Sequence, residues 1–154
     1  MSAMRLELAL MSCIVLTTGT VGLLKASSPI PVPWRALRYG GSTPHYLPFL
    51  APDEASFGGG WPCAHASGAF ALMGLYFISR DSKRSLAWLG FAGACGLGVL
   101  YVASQVMRGA HFPSHGVWSF LLAWTICAGL YAIPFRSRLI GATSAEGPLQ
   151  ERRL

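Results

Sequence analysis

The sequence predicts an all-α protein, a four-helix bundle embedded in a membrane. Three observations predict it. Hydrophobic residues make up 53% of the 154 residues and charged residues 12%, about half the charged share usual in soluble domains. Mean hydropathy is +0.46. The apolar residues gather in four runs, with the charges between them. A hydrocarbon layer demands that segregation: backbone groups inside it must be satisfied within helices, and charges are driven to helix ends.

The first run spans about Leu8 to Leu24. With Arg5 ahead of it, it resembles a secretory signal. It is read as a retained helix, because Lys25 just past its end has a use developed below. Residues 25–64 form a long outer loop rich in Pro and Gly ("SSPIPVPW", "FGGGWP"), and loops of that length seldom lack a role. The second run is about His65 to Ser79. A tight charged hairpin, "RDSKRS", follows at 80–85. The third run is about Leu86 to Met107, and the fourth about Gly116 to Phe135. At the helical rise these runs reach roughly 22 to 33 Å against a hydrocarbon core of about 30 Å, the second being short. Their many Gly and Ala residues favour close helix–helix packing. Residues 1–135 are thus one membrane domain, and 136–154 a polar tail.

The net charge of +6 raises the possibility of nucleic acid. However, no Lys/Arg cluster is interleaved with aromatics, so no nucleic-acid partner is expected. The basic residues fit topology better. Arg5, Arg80, Lys83, Arg84, Arg136, Arg138, Arg152 and Arg153 fall on one side of the four runs, and Lys25, Arg35, Arg38 and Arg108 on the other. The positive-inside rule puts the larger set, both termini included, in the cytoplasm. The long loop and "RGAHFPSH" then face outward, in a bacterium into the periplasm. All four histidines, His45, His65, His111 and His115, fall on that outer side. The cysteines, Cys13, Cys63, Cys95 and Cys127, are scattered and suggest neither a disulfide framework nor a zinc pattern.

The outer groups make a chemical constellation. Lys25 ends the first helix, Arg38 lies in "RYGG", His65 opens the second helix, and Arg108, His111 and His115 sit between the third and fourth. Cations near the N–H groups of helix N-termini make an anion site. Two histidines from different helices can attack phosphorus and protonate a leaving oxygen. Each residue has a plainer reading: Lys25 as an interfacial snorkeller, Arg38 as a headgroup contact, His65 as a cap. The joint pattern is what points to phosphate.

Metal is the rival, because His111 and His115 are four apart. Pro113 opposes it. Proline favours the first helical turn, so the helix should start near Pro113 and break the shared histidine face. The motif also lacks an acidic partner; Asp53 and Glu54 are the acids of the outer loop. No metal and no cofactor are expected.

The layout resembles the type 2 phosphatidic acid phosphatase family, related to the vanadium haloperoxidases. Its motifs are a lysine followed by Arg-Pro, then Pro-Ser-Gly-His, then Ser-Arg-x5-His-x3-Asp. Here "PCAH", Pro62 to His65, resembles the second, and "SQVMRGAHFPSH", Ser104 to His115, the third. Lys25 suits the first, with Arg38 in place of the nearby Arg-Pro. The third motif with its downstream helix is similar to that of bacterial inner-membrane members, including those like lipid A phosphatases. Four positions depart. Cys63 and Ala64 replace Ser-Gly, Gln105 stands for the motif arginine with Arg108 about a turn on, and His115 replaces Asp. Members usually have six membrane helices; this chain would be a short form or a truncated one, the missing two preceding the first motif.

The resemblance implies a metal-independent phosphatase acting on a phosphorylated membrane lipid. His111 would be the nucleophile, forming a phosphohistidine, and His65 the acid and then the base. His115 would orient His111. Lys25, Arg38, Arg108 and the backbone at Cys63 and Ala64 would bind phosphate. The alternative is a catalytically impaired protein that binds phospholipid headgroups with the same pocket. A small transporter is a third reading, but it would place charges mid-helix, and these charges stay at the ends.

Overall fold

In the computed structural model of the protein, residues 3–44 and 59–146 are described, with side chains over 7–44 and 59–133. His45, Asp53 and Glu54, assigned above to the outer loop, lie outside the described residues, as do Arg152 and Arg153 of the tail. The described residues are helical and form no strand. α1 runs Ala3–Ala26, α2 Ala64–Ala71, α3 Gly74–Ser79, α4 Arg84–Met107 and α5 Pro113–Glu146. Two 3-10 turns, Pro33–Arg35 and Leu37–Tyr39, punctuate the loop after α1.

Three segments are long and apolar enough to cross a membrane: Glu7–Ala26, Arg84–Met107 and Pro113–Ile133. The Ala64–Ser79 segment is shorter. Much of the spanning surface points outward, with Leu8, Leu23, Leu89, Leu100 and Val117 all exposed. In water that would be a fault; in lipid it is the expected face. The chain is a helical membrane protein.

α2 is the centre of the bundle and packs on α1, α4 and α5. Lipid is as apolar as a leucine, so helices associate in it through close fit rather than through water exclusion. The fit is tight. A Cβ on Gly98 of α4 would overlap the Phe70 ring of α2, so glycine is what lets those helices meet. Phe70 also stacks edge-on against Phe120 of α5 at 5.5 Å. Cys63, Ala66, Met73, Ala94 and Ala123 complete this cluster. Nearer the hairpin, Cys13, Phe77 and Cys127 make a second.

Two bonds fix α2 against α5. Ser119 Oγ donates to the Cys63 carbonyl at 3.0 Å, and Cys127 Sγ to the Ala71 carbonyl at 3.6 Å. Both join residues 56 apart, so the two helices run parallel in one register, with the start of α2 beside the second turn of α5.

The expected single helix over 65–79 is in fact two. At Leu72 and Met73 the bonding tightens to i→i+3: Leu72 N–H to Ala69 O, and Met73 N–H to Phe70 O. Gly74 just beyond lies against Cys13 of α1, where a Cβ would come within 2.9 Å of its Sγ. The run is apolar on every face, so its pattern carries no sign of the break. The fourth helix also differs from expectation. Its start at Pro113 is the one the proline implied, but it continues past Phe135 to Glu146; the Arg, Leu, Ala and Glu of that stretch favour helix.

Candidate active site

The chain order puts four helix ends together. α1 and α4 finish, and α2 and α5 begin, at the end opposite the hairpin between α3 and α4. On α1, Cys13, Thr17 and Val21 are buried at four-residue spacing, which marks one helix face. Lys25 continues that face and is half-buried. It sits in the last turn, where a cation also complements the helix dipole.

Cys63 is extended (φ −81°, ψ 93°) and is the N-cap residue of α2. His65 follows in the first turn and is exposed. Beyond α4, the amides of Ala110 and His111 both bond to Gln105 O, at 2.9 and 3.3 Å. That closing turn delivers His111 directly ahead of Pro113. His115 lies in the first turn of α5, its N–H on Phe112 O at 3.0 Å.

The three described histidines converge. The His65 and His111 rings are 6.3 Å apart, edge to face. Nδ1 of His111 lies 3.4 Å from Nδ1 of His115, a contact in which one nitrogen must donate and the other accept. His111 and His115 are each 3% exposed. Burial pushes the His111 pKa down to about 4; the Lys25 charge lowers it further, the Gly60 backbone hydrogen bond opposes, and His65 adds a smaller lowering. His111 is therefore a neutral imidazole near pH 7. The Cys63 thiol is pushed up by burial, against the pull of the Ala66 and His65 backbone and of Lys25.

Lys25 thus reaches both Cys63 and His111 electrostatically. Ala64 is the first residue of α2, so its N–H is free of intrahelical bonding. Arg38 and Arg108 are exposed. They lie on segments that frame His111: Trp34 N–H bonds to Gly109 O at 3.2 Å, and Tyr39 meets Phe112 at 6.0 Å. The structure therefore brings His65, His111, His115, Lys25 and Cys63 into one cluster and leaves the two arginines on its rim. Among the described residues, no three His, Cys, Asp or Glu side chains converge as metal ligands would.

Two contributors escaped the sequence. Gly60 bonds to Ile30 O at 2.7 Å, and a Cβ there would lie 2.6 Å from that oxygen; only glycine lets this strand of loop lie beside His111. The "FGGGWP" triplet was its signal, without saying for what. Ser119 gave no signal, being one hydroxyl in an apolar helix.

The site is thus a neutral buried imidazole in a helical membrane bundle, with a second imidazole facing it and the Lys25 charge acting on it. The sequence model of the PAP2 superfamily matches residues 6–139, and the chain belongs to that superfamily. Membership makes it a phosphatase-type hydrolase of phosphorylated substrates. No curated protein and no solved structure matches the chain.

Proposed function

We propose that the protein is a metal-independent membrane lipid phosphatase that works through a phosphohistidine on His111. One observation carries the reading: His65 in the first turn of α2 and His111 in the turn ahead of α5 face each other at 6.3 Å, with His115 on the far nitrogen of His111. In the first step His111 Nδ1–H donates to His115 Nδ1, which leaves the lone pair on Nε2. Nε2 attacks phosphorus, the P–O bond to the lipid breaks, and protonated His65 gives its proton to the leaving oxygen. In the second step His65 takes a proton from water, the hydroxide attacks phosphorus, and the P–N bond breaks to release phosphate. Lys25, Arg38, Arg108 and the Ala64 N–H neutralise the equatorial oxygens; the Cys63 N–H, expected to join them, is instead on the His115 carbonyl at 3.4 Å. A depressed His111 pKa supports the role, since the nucleophile must be unprotonated. The substrate is a phosphomonoester or pyrophosphate headgroup. The setting is a bacterial inner membrane, with the histidine end toward the periplasm, as in the lipid A phosphatase-like branch.

The second reading is a headgroup-binding protein without turnover. It is favoured by His115, which offers His111 no negative charge where the family has a carboxylate. Phosphate release separates the two. Purified protein is given phosphatidic acid, phosphatidylglycerol phosphate, polyprenyl pyrophosphate and lipid A phosphates, with and without chelator. Release from one of them, unaffected by chelator, blocked by vanadate and lost in His111→Ala, is expected. Binding without release in every case sinks catalysis, and zinc-restored activity after chelation revives the metal reading.

A further inference from the structure

We infer that Ser119 is a positioning residue, whose hydroxyl clamps the Cys63 peptide to the first turn of α5 and so sets the separation of His65 from His111. Ser119 is fully buried. Its Oγ is 3.0 Å from Cys63 O and 3.0 Å from His115 O, so its single proton is shared between the two carbonyls. A serine in a helix commonly bonds back to the carbonyl four residues earlier, and His115 O is that carbonyl. The Cys63 bond is the unusual one, because it crosses between helices.

The His115 carbonyl has a second visitor. Cys63 N–H reaches it at 3.4 Å. Cys63 is therefore held at both its N–H and its C=O by one turn of α5. It is also the residue from which α2 starts, two positions ahead of His65. On the other side, the gripping turn begins with His115, whose ring meets His111. The clamp ties the helix that presents His65 to the turn that presents His115, the ring partner of His111. The other register bond, from Cys127 to Ala71 at 3.6 Å, lies two turns further along α2. It cannot hold the start of that helix when Ser119 lets go.

The distance between two groups that attack and protonate one phosphate is a sensitive quantity: a misplacement of about 1 Å can lower a rate roughly 10²-fold. Ser119→Ala should therefore lower kcat by roughly 10- to 100-fold with KM changed by less than about twofold, because the loss falls on transition-state geometry. Ser119→Thr, which keeps the hydroxyl, should recover most of it.

The kinetic arm rests on the phosphatase reading, and a second arm does not. Diethylpyrocarbonate acylates imidazoles that it can reach. In the wild type, peptide mass mapping should show His65 modified quickly and buried His111 slowly. In Ser119→Ala, His111 should be acylated several times faster, and in Ser119→Thr at the wild-type rate. Wild-type protein that releases no phosphate would overturn the phosphatase reading, while the acylation rates still decide the clamp. Unchanged kcat and unchanged His111 acylation in Ser119→Ala overturn the clamp. So does a fall in melting temperature that Thr fails to restore and that leaves His111 acylation unmoved, since Ser119 then only fills space.

Discussion

At the hairpin end of the bundle, Arg80 and Asp81 make an ion pair of 3.8 Å in the open, with Asp81 68% exposed. Tyr131 donates to Asp81 at 2.6 Å, and the Arg80 guanidinium lies 5.3 Å over its ring. At the other end, Lys25 is half-buried and the imidazoles of His111 and His115 are almost wholly so. Both ends hold cations and aromatic rings, but only one withdraws them from water. A charge in water is screened and interacts weakly, whereas the same charge beside a buried imidazole moves its pKa. Composition distinguishes the ends poorly; burial distinguishes them well.

The largest difference should come from the two lysines. Lys25→Ala removes a cation from the buried cluster and should lower turnover by about 10²- to 10³-fold, the size of losing one preorganised oxyanion contact. Lys83→Ala, at the hairpin, should leave turnover within about twofold. Equal effects in a phosphate-release assay would erase the contrast. Next comes His115. His115→Ala should cost roughly 10²-fold, by analogy with loss of an orienting acid. His115→Asp should preserve or raise turnover, because a full charge stabilises the imidazolium better than a neutral ring. A dead His115→Asp beside a fully active His115→Ala would remove the orienting role.

Stability gives a third contrast. The folded pKa of His111 is about 4, below its ordinary 6.5. Between those values the unfolded chain binds the extra proton, so stability should fall as pH drops from about 6.5 toward 4. Thermal melts of wild type and His111→Gln should diverge over that window and run parallel above it. The smallest effect should be at the hairpin. Tyr131→Phe removes an exposed hydrogen bond to Asp81 and should cost less than about 1 kcal/mol in a reversible denaturation. A larger loss would show that the hairpin end also withdraws its charges from water.

The readable parts of this molecule were those set by single residues with one physical preference. Pro113 favours a first helical turn, and α5 starts there. The four apolar runs and the positions of the histidines between them implied which helix ends lie together. The parts that stayed hidden depend on partners far along the chain. The break at Leu72 and Met73 lies in a run with no polar face, so periodicity could not mark it. Ser119 meets Cys63 across 56 residues, and Gly60 meets Ile30 across the loop. For Arg38 and Arg108, charge and position were legible, but the sequence could not say that their side chains are exposed at the rim.

The thiol at Cys127 has a practical side. The break between α2 and α3 leaves carbonyls without an N–H four residues on, and Cys127 serves one of them, Ala71 O. In lipid no water can replace it. A cysteine-free background, the usual starting point for accessibility labelling, is therefore not a neutral one here. Replacing Cys127 with alanine would strand that oxygen, whereas serine would keep a donor. The remedy lies in the same burial: Cys13, Cys63 and Cys127 are 4%, 0% and 1% exposed. Water-soluble maleimides should pass these three by, so once the half-buried Cys95 is replaced, single cysteines can be introduced at either end with the other three left in place.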